Sequence, residues 1–203
     1  RKTALSWLLH QESQRYDGMN NQYKQGRHAI ICLLVLFTGM SFANDHLPSA
    51  IDHNGESYAK CNDYLLRYGF VIKVVAIGWY AQDCQQYDSV MASNNKIIRF
   101  HYFKDVEASF FQESAAEYFL KNLKSEDQKS AMKTILTQFN DAYTNISSGE
   151  YFDLIHFQNQ TLSLVKNGDV LTTTENSAFA RLYFNIWFGQ QPVVKRLKEA
   201  FTG

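Results

Sequence analysis

The stretch Lys96–Lys104, KIIRFHYFK, brings together the side chains best suited to chemistry. In an extended chain successive side chains alternate between faces, so Arg99 and His101 share one side while Ile98, Phe100 and Tyr102 share the other. Arg99 offers a fixed fork of donors to a carboxylate or phenolate, and His101 exchanges a proton near neutral pH. Together they could form an anion site at the mouth of a cleft. Arg67, inside Leu65–Asp83 (LLRYGFVIKVVAIGWYAQD), sits at or near a turn and could also meet an anion. Each candidate has a plainer role. Arg67 can be a solvated turn residue, Arg99 and His101 the wet side of a half-buried sheet, and Tyr102 a core residue with a tethered hydroxyl. Asp153 and His156 are three apart on another extended stretch, which sets them on opposite faces and argues against a dyad. The sequence contains no G-x-S-x-G, H-E-x-x-H or P-loop motif.

Beyond residue 43 two cysteines remain, Cys61 and Cys84. In an oxidising compartment such a pair can form a disulfide, provided the Cα atoms come within ~4.4–6.8 Å; otherwise they are separate thiols. Both arrangements fit the sequence. Two cysteines without a histidine cluster do not supply the four ligands of a zinc site, so no metal is expected. No motif asks for a cofactor.

The chain around these residues has 203 positions, which suits one domain at roughly 100–200 residues each. Hydrophobic residues make up 45% and aromatic ones 15%, ample for a large core. The formal charge is zero, so no basic field points to nucleic acid. Residues 19–43 read as a secretory signal peptide. Lys24 and Arg27 supply positive charge, Ala29–Met40 is a mostly apolar run, and Ser41-Phe42-Ala43 places small residues before a cut at Asn44. The run is shorter than the ~20 residues of a spanning helix, so no stable membrane span is expected once it is removed. Residues 1–18 precede Met19 and read as a non-native upstream extension. The domain is expected at 44–203, periplasmic or secreted. It carries 15 Lys+Arg against 18 Asp+Glu, a mildly acidic balance.

The elements that must position the candidates follow from pattern. Asp63–Phe70 and Val71–Ala81 are rich in β-branched and aromatic residues and predict a hairpin turning at Arg67-Tyr68-Gly69. Lys96–Lys104 predicts a strand with one buried and one wetter face. Two helices follow, one within Val106–Leu123 and one opened by a capping box, Ser125-Glu126-Asp127-Gln128. Tyr151–Phe157, Thr161–Lys166 and Val170–Thr174 predict three more strands. Asn167-Gly168 is a type I′ hairpin signal. Phe179, Leu182, Tyr183, Ile186 and Trp187 recur at helical spacing and predict one amphipathic helix, capped by Asn176 or Ser177 and stopped by a left-handed Gly189. Val193, Leu197, Ala200 and Phe201 stripe a last helix. Consecutive hairpins and segregated helices imply an α+β layer, a mainly antiparallel sheet covered on one face.

Three segments resemble the chalcone isomerase-like family, in particular a secreted bacterial branch of it. They are the C-terminal run FARLYFNIWFGQQPVVKRLKEAFTG after SLVKNGDVLTTTENSA, the hairpin LLRYGFVIKVVAIGWYAQD, and IIRFHYFKDV. The resemblance covers roughly residues 55–203. It implies an open-faced β-sandwich with a hydrophobic cleft between sheet and helices. It also implies one of two functions: ring closure of a flavonoid, as in plant chalcone isomerases, or fatty-acid binding, as in non-catalytic relatives. The catalytic members use an arginine and a threonine of the early hairpin. Aligned on GFVIKVVAIGWY, those positions hold Asp63 and Val75 here. A reversed charge and a missing hydroxyl cannot stabilise a phenolate or oxyanion.

Three functions follow as expectations. The first is a non-catalytic module binding a small hydrophobic or amphipathic molecule such as a fatty acid. The second is an isomerase or lyase on a phenolic or enone substrate, using Arg67, Arg99 and His101. The third is a structural envelope protein whose cleft is filled by its own side chains. The oligomeric state has no signature in the sequence.

Overall fold

The computed structural model describes residues 46–69, 71–157 and 161–202. The expected signal segment and the residues before it lie outside these ranges. Seven strands run in chain order through one antiparallel sheet: β1 (Ala50–His53), β2 (Glu56–Tyr68), β3 (Ile72–Ala81), β4 (Lys96–Tyr102), β5 (Tyr151–His156), β6 (Leu162–Lys166) and β7 (Asp169–Thr174). Each strand pairs with the next, so every connection is a hairpin or an excursion that returns beside its starting strand.

Turn chemistry explains two of the hairpins. Asn167 and Gly168 both take positive φ, 50° and 95°, as a two-residue turn between twisted strands demands. Asn54 and Gly55 do the same at 51° and 80°, joining β1 to β2. The early hairpin therefore starts at Glu56 rather than Asp63, with a further strand before it. Glu56, Ser57, Lys60 and Asn62 show no apolar alternation, because this edge of the sheet is mostly exposed to water. Cys61 is an extra residue in β2, between the Lys60–Tyr80 and Asn62–Trp79 pairs. It forms a disulfide with Cys84, with Cα atoms 5.1 Å apart, tying the bulge to the loop after β3.

Five helices complete the described chain: α1 (Ala108–Lys121), α2 (Glu126–Asn140), α3 (Ser177–Tyr183), α4 (Asn185–Phe188) and α5 (Lys195–Thr202). Ser125 caps α2 by accepting from the Gln128 backbone N–H at 3.2 Å. The Gln128 side chain reaches one residue further back than a strict capping box and accepts from Lys124 N–H at 2.9 Å. Asn176 caps α3 through the Phe179 N–H at 2.9 Å. The single helix expected after Phe179 is broken at Phe184 into α3 and α4. Gly189 does not end α4 by left-handedness, for its backbone is extended (φ −73°, ψ −166°). It is glycine because a Cβ there would collide with Asn122 Oδ1 and the Asn185 carbonyl.

The helices cover one face of the sheet. Val75, Ile77 and Trp79 of β3, Ile98, Phe100 and Tyr102 of β4, and Phe152 and Leu154 of β5 share one buried cluster with Phe119, Phe139, Phe179 and Tyr183 from the helices. The far face is drier than alternation alone predicts. Tyr58, Tyr80, Ile97, Ile155 and Val165 form a second cluster there. The segment before β1 folds over it, with the Tyr80 hydroxyl donating to the Pro48 carbonyl at 3.0 Å. The architecture is α+β: a curled antiparallel sheet roofed on one side by helices.

Candidate functional site

Between sheet and roof lies a cavity of about 100 Å³. Alternation places Val75, Ile77, Phe100, Tyr102, Phe152 and Leu154 on its floor. The roof is built from α1 and from the chain between α4 and α5. Phe110, Ser114, Trp187, Val193 and Val194 are the half-buried lining residues and mark where the cavity approaches the surface. Asn122 fastens that rim. Its amide donates to the Tyr118 and Gln191 carbonyls at 2.8 and 2.9 Å and its oxygen accepts from Gln191 N–H at 2.9 Å, tying the end of α1 to the segment before Val193.

The walls are aliphatic and aromatic. Their side-chain hydroxyls belong to Tyr102, Tyr143 and Ser114, and no charged side chain lines the cavity among the described residues. Tyr183 donates its proton to Asn140 Oδ1 at 2.8 Å. The 3.2 Å contact between the Tyr143 and Tyr183 hydroxyls must then use the Tyr143 proton, leaving the Tyr143 oxygen an acceptor. Burial pushes the Tyr143 phenol up to about 12, partly offset by its bond to Tyr183. Burial, with Tyr143 beside it, raises Tyr102 further still. Both phenols are neutral hydrogen-bonding groups at any physiological pH.

Of the residues singled out by their chemistry, Tyr102 is the one in this wall. Arg99 points to the far face and is held by Asp153, Nε to Oδ1 at 2.8 Å and Nη2 to Oδ2 at 2.7 Å, with its guanidinium 3.8 Å from the centre of the Tyr151 ring. His101 shares that face and stacks on His46 with ring centres 4.9 Å apart. Burial, then the nearby His46 and Arg99, lower its pKa, which favours the neutral ring. Arg67 is exposed near the end of β2, opposite Lys73. The three cations do not converge on a common point beside the cavity. Asp153 and His156 lie on opposite faces, His156 towards the Phe184 ring.

The two positions aligned with the catalytic pair separate as well. Val75 lines the cavity, but Asp63 pairs with Gly78 on the far face and binds Lys60 at 2.8 Å. Its neighbours Asn62 and Tyr64 turn towards the helices, as does Leu66 in the cavity wall, and Asn62 donates to the Ala200 carbonyl on α5. Val75 pairs with Leu66 in the same unbroken stretch of register, and Asp63 and Leu66 are three apart on β2, so Asp63 and Val75 lie on opposite faces.

Other cavity residues carry no chemical signal in the sequence. Phe110, Phe111 and Trp187 appear there as helix stripe, which is how a cavity wall and a filled core both read. Val193 and Val194 fall in an irregular segment, where no period assigns a direction.

Among solved structures the chain is similar to a fatty-acid binding protein of Arabidopsis thaliana, with 19% identity and a TM-score of 0.54, over 77% of this chain and 90% of that one. At that identity the likeness carries the fold. No curated protein matches significantly. The model of the family described as chalcone isomerase-like matches residues 39–203, which takes in all seven strands and the helical roof, and the chain belongs to that family.

Proposed function

We propose that this chain is a non-catalytic module that holds a small hydrophobic or amphipathic molecule, such as a fatty acid, between sheet and roof. The observation that carries the reading is the cavity itself: apolar walls, three hydroxyls and no charge among the described residues. Such walls favour an alkyl chain over a charged group, since an unpaired buried carboxylate costs several kcal/mol. The carboxylate would stay at the rim, near Ser114, or accept from the Tyr102 hydroxyl, since the Tyr143 proton is committed to Tyr183. The similar Arabidopsis protein, itself named a fatty-acid binding protein, supports this ligand class. Proton-transfer chemistry finds no support in the cavity, where no imidazole, guanidinium or ammonium group lines the wall among the described residues.

Preformed ligand sites run to ~300–1,000 Å³. At about 100 Å³ the cavity is smaller, so an acyl chain enters only if the rim formed by Phe110, Ser114, Trp187, Val193 and Val194 parts. That small volume favours a second reading, a structural envelope protein with a filled interior. Native mass spectrometry during titration with lauric and palmitic acid separates the two. A one-to-one adduct supports binding, and no adduct at any concentration below micelle formation overturns it in favour of the structural role.

The exported location belongs to the same proposal, as does membership of a secreted bacterial branch. The signal-like segment 19–43 supports it, and so does the disulfide between the two cysteines beyond that segment, since such bridges persist in oxidising compartments.

A further inference from the structure

At the opposite end of β4 from Tyr102, a second hollow of about 440 Å³ opens to solvent. Lys96, His156 and Arg181 line it, together with Ser93, Asn94 and Phe157. Lys96 and His156 are directly paired residues of β4 and β5, so their side chains leave the sheet side by side. Both turn towards α3: the Lys96 ammonium lies 4.7 Å from the Phe184 ring centre, and the His156 ring centre lies 5.8 Å from it. Arg181 stands on the last turn of α3 beside them. Among the described residues no carboxylate forms an ion pair with any of the three.

This is an unusual concentration of bases. Lys96 is only 4% exposed, and its ammonium donates to the Val90 and Ser93 carbonyls at 2.9 and 2.8 Å, using two of its three N–H groups. Those bonds satisfy donors but do not neutralise charge. His156 Nδ1 is engaged with the Thr161 carbonyl at 2.8 Å, which leaves Nε2 as its second polar atom. Buried charges in proteins are generally paired, and here the missing partner is negative.

We propose that this hollow binds a small molecule through an oxyanion, a carboxylate or a phosphate, held by Lys96, His156 and Arg181, with the organic part against Phe157. The site is separate from the roofed cavity and takes a different chemistry. Burial lowers Lys96 to about 8, and burial followed by the charges of Lys96 and Arg181 lowers His156. An oxyanion stabilises the protonated form of both, so binding takes up protons and affinity falls as pH rises from neutrality past 8.

The test is a titration of the full chain with sodium phosphate and, separately, sodium acetate at fixed ionic strength, following the His156 ring by NMR. A saturable shift with either anion is expected, with phosphate alone pointing to a phosphorylated ligand and acetate alone to a carboxylic one. Arg181 is exposed, so Arg181→Ala should fold normally. Loss of its charge-assisted bond should weaken binding about tenfold or more. His156→Gln should weaken it too, and affinity should be lower at pH 9 than at pH 7. No saturable shift with either anion, or unchanged affinity in Arg181→Ala, would overturn the proposal.

Discussion

Arg99 and Asp153 stand directly opposite each other on β4 and β5, and two short, parallel hydrogen bonds join them on the face away from the helical roof. The Asp153 side chain is 5% exposed and that of Arg99 13%. Burial pushes the Asp153 carboxyl up, against which the two bonds from Arg99 act. The pair thus consumes the guanidinium that sequence marks as a ligand-binding candidate.

Breaking this pair on one side should be far worse than removing both members. Asp153→Asn strands a buried guanidinium and should cost roughly 3–5 kcal/mol, whereas Arg99→Met with Asp153→Leu should be near neutral or stabilising. Urea unfolding of the three proteins measures the difference. Equal losses in the single and double variants would mean that the ions themselves are not the issue.

Lys96 gives a pH dependence with a definite sign. Its folded pKa is about 8, below the ordinary 10.5, so the unfolded chain binds the extra proton between those values. Stability contributed at this site is therefore lowest at neutral pH and rises with pH through 8 towards 10.5. Relative to Lys96→Met, the native protein should gain about 2 kcal/mol between pH 7 and pH 9.5. Chemical denaturation of both proteins at the two pH values checks this, and a gap that does not widen refutes it.

The disulfide should be a staple of stability. It closes 23 residues of sequence separation. Chain-entropy arguments put a loop of this size at about 3 kcal/mol. Cys61→Ala with Cys84→Ala should lose that amount in guanidinium unfolding, and reducing agent should then have no further effect.

Val75→Thr restores a hydroxyl where catalytic relatives have one. Threonine there adds a polar group to an apolar wall, so it should cost about 1–3 kcal/mol if unpaired. It should confer no ring closure, because no guanidinium lines the cavity among the described residues. An absorbance assay on a hydroxychalcone reads this directly. Measurable cyclisation would overturn the proposal of a non-catalytic module.

Ala115→Leu addresses the cavity from the roof side. Ala115 is a buried lining residue of α1, and three added carbons would occupy the hollow. Because they fill free space, the stability change should stay within about 1.5 kcal/mol. Fatty-acid affinity should fall at least about tenfold, equivalent to ~1.4 kcal/mol. Retained affinity at retained stability would place the ligand elsewhere.

Much of this fold is written in short-range pattern. The alternation Ile98, Phe100, Tyr102 against Arg99, His101 places each side chain on its observed face, because a strand's period allows no other outcome. Asn167-Gly168 fixes its turn for a similarly local reason. What escaped lies in pairings between distant segments. Asp153 meets Arg99 across 54 residues, and nothing near either residue announces the other. The early hairpin pairs Asp63 with Gly78, whose neighbours Ile77 and Trp79 face the helices, so Asp63 turns away from the cavity, and nothing near Asp63 in the sequence fixes that register. Gly189 is required in part by the side chain of Asn122, which caps the distant end of α1. The hollow at Lys96 arises where two strand ends and α3 meet, so no single segment carries its signature.

The strict chain order of the seven strands has a consequence for how the molecule assembles. Each strand pairs with the next one in the chain, with α1 and α2 intervening between β4 and β5, so the sheet can grow in chain order, each new strand docking on an edge already formed. The last turns of chain, Ser177–Thr202, are the exception, since they supply the cover over Phe100 and Trp79 only after β7 is in place. Until then a broad aromatic surface faces water. During synthesis from the N-terminus this late interval is the stage at which the protein is most exposed to aggregation.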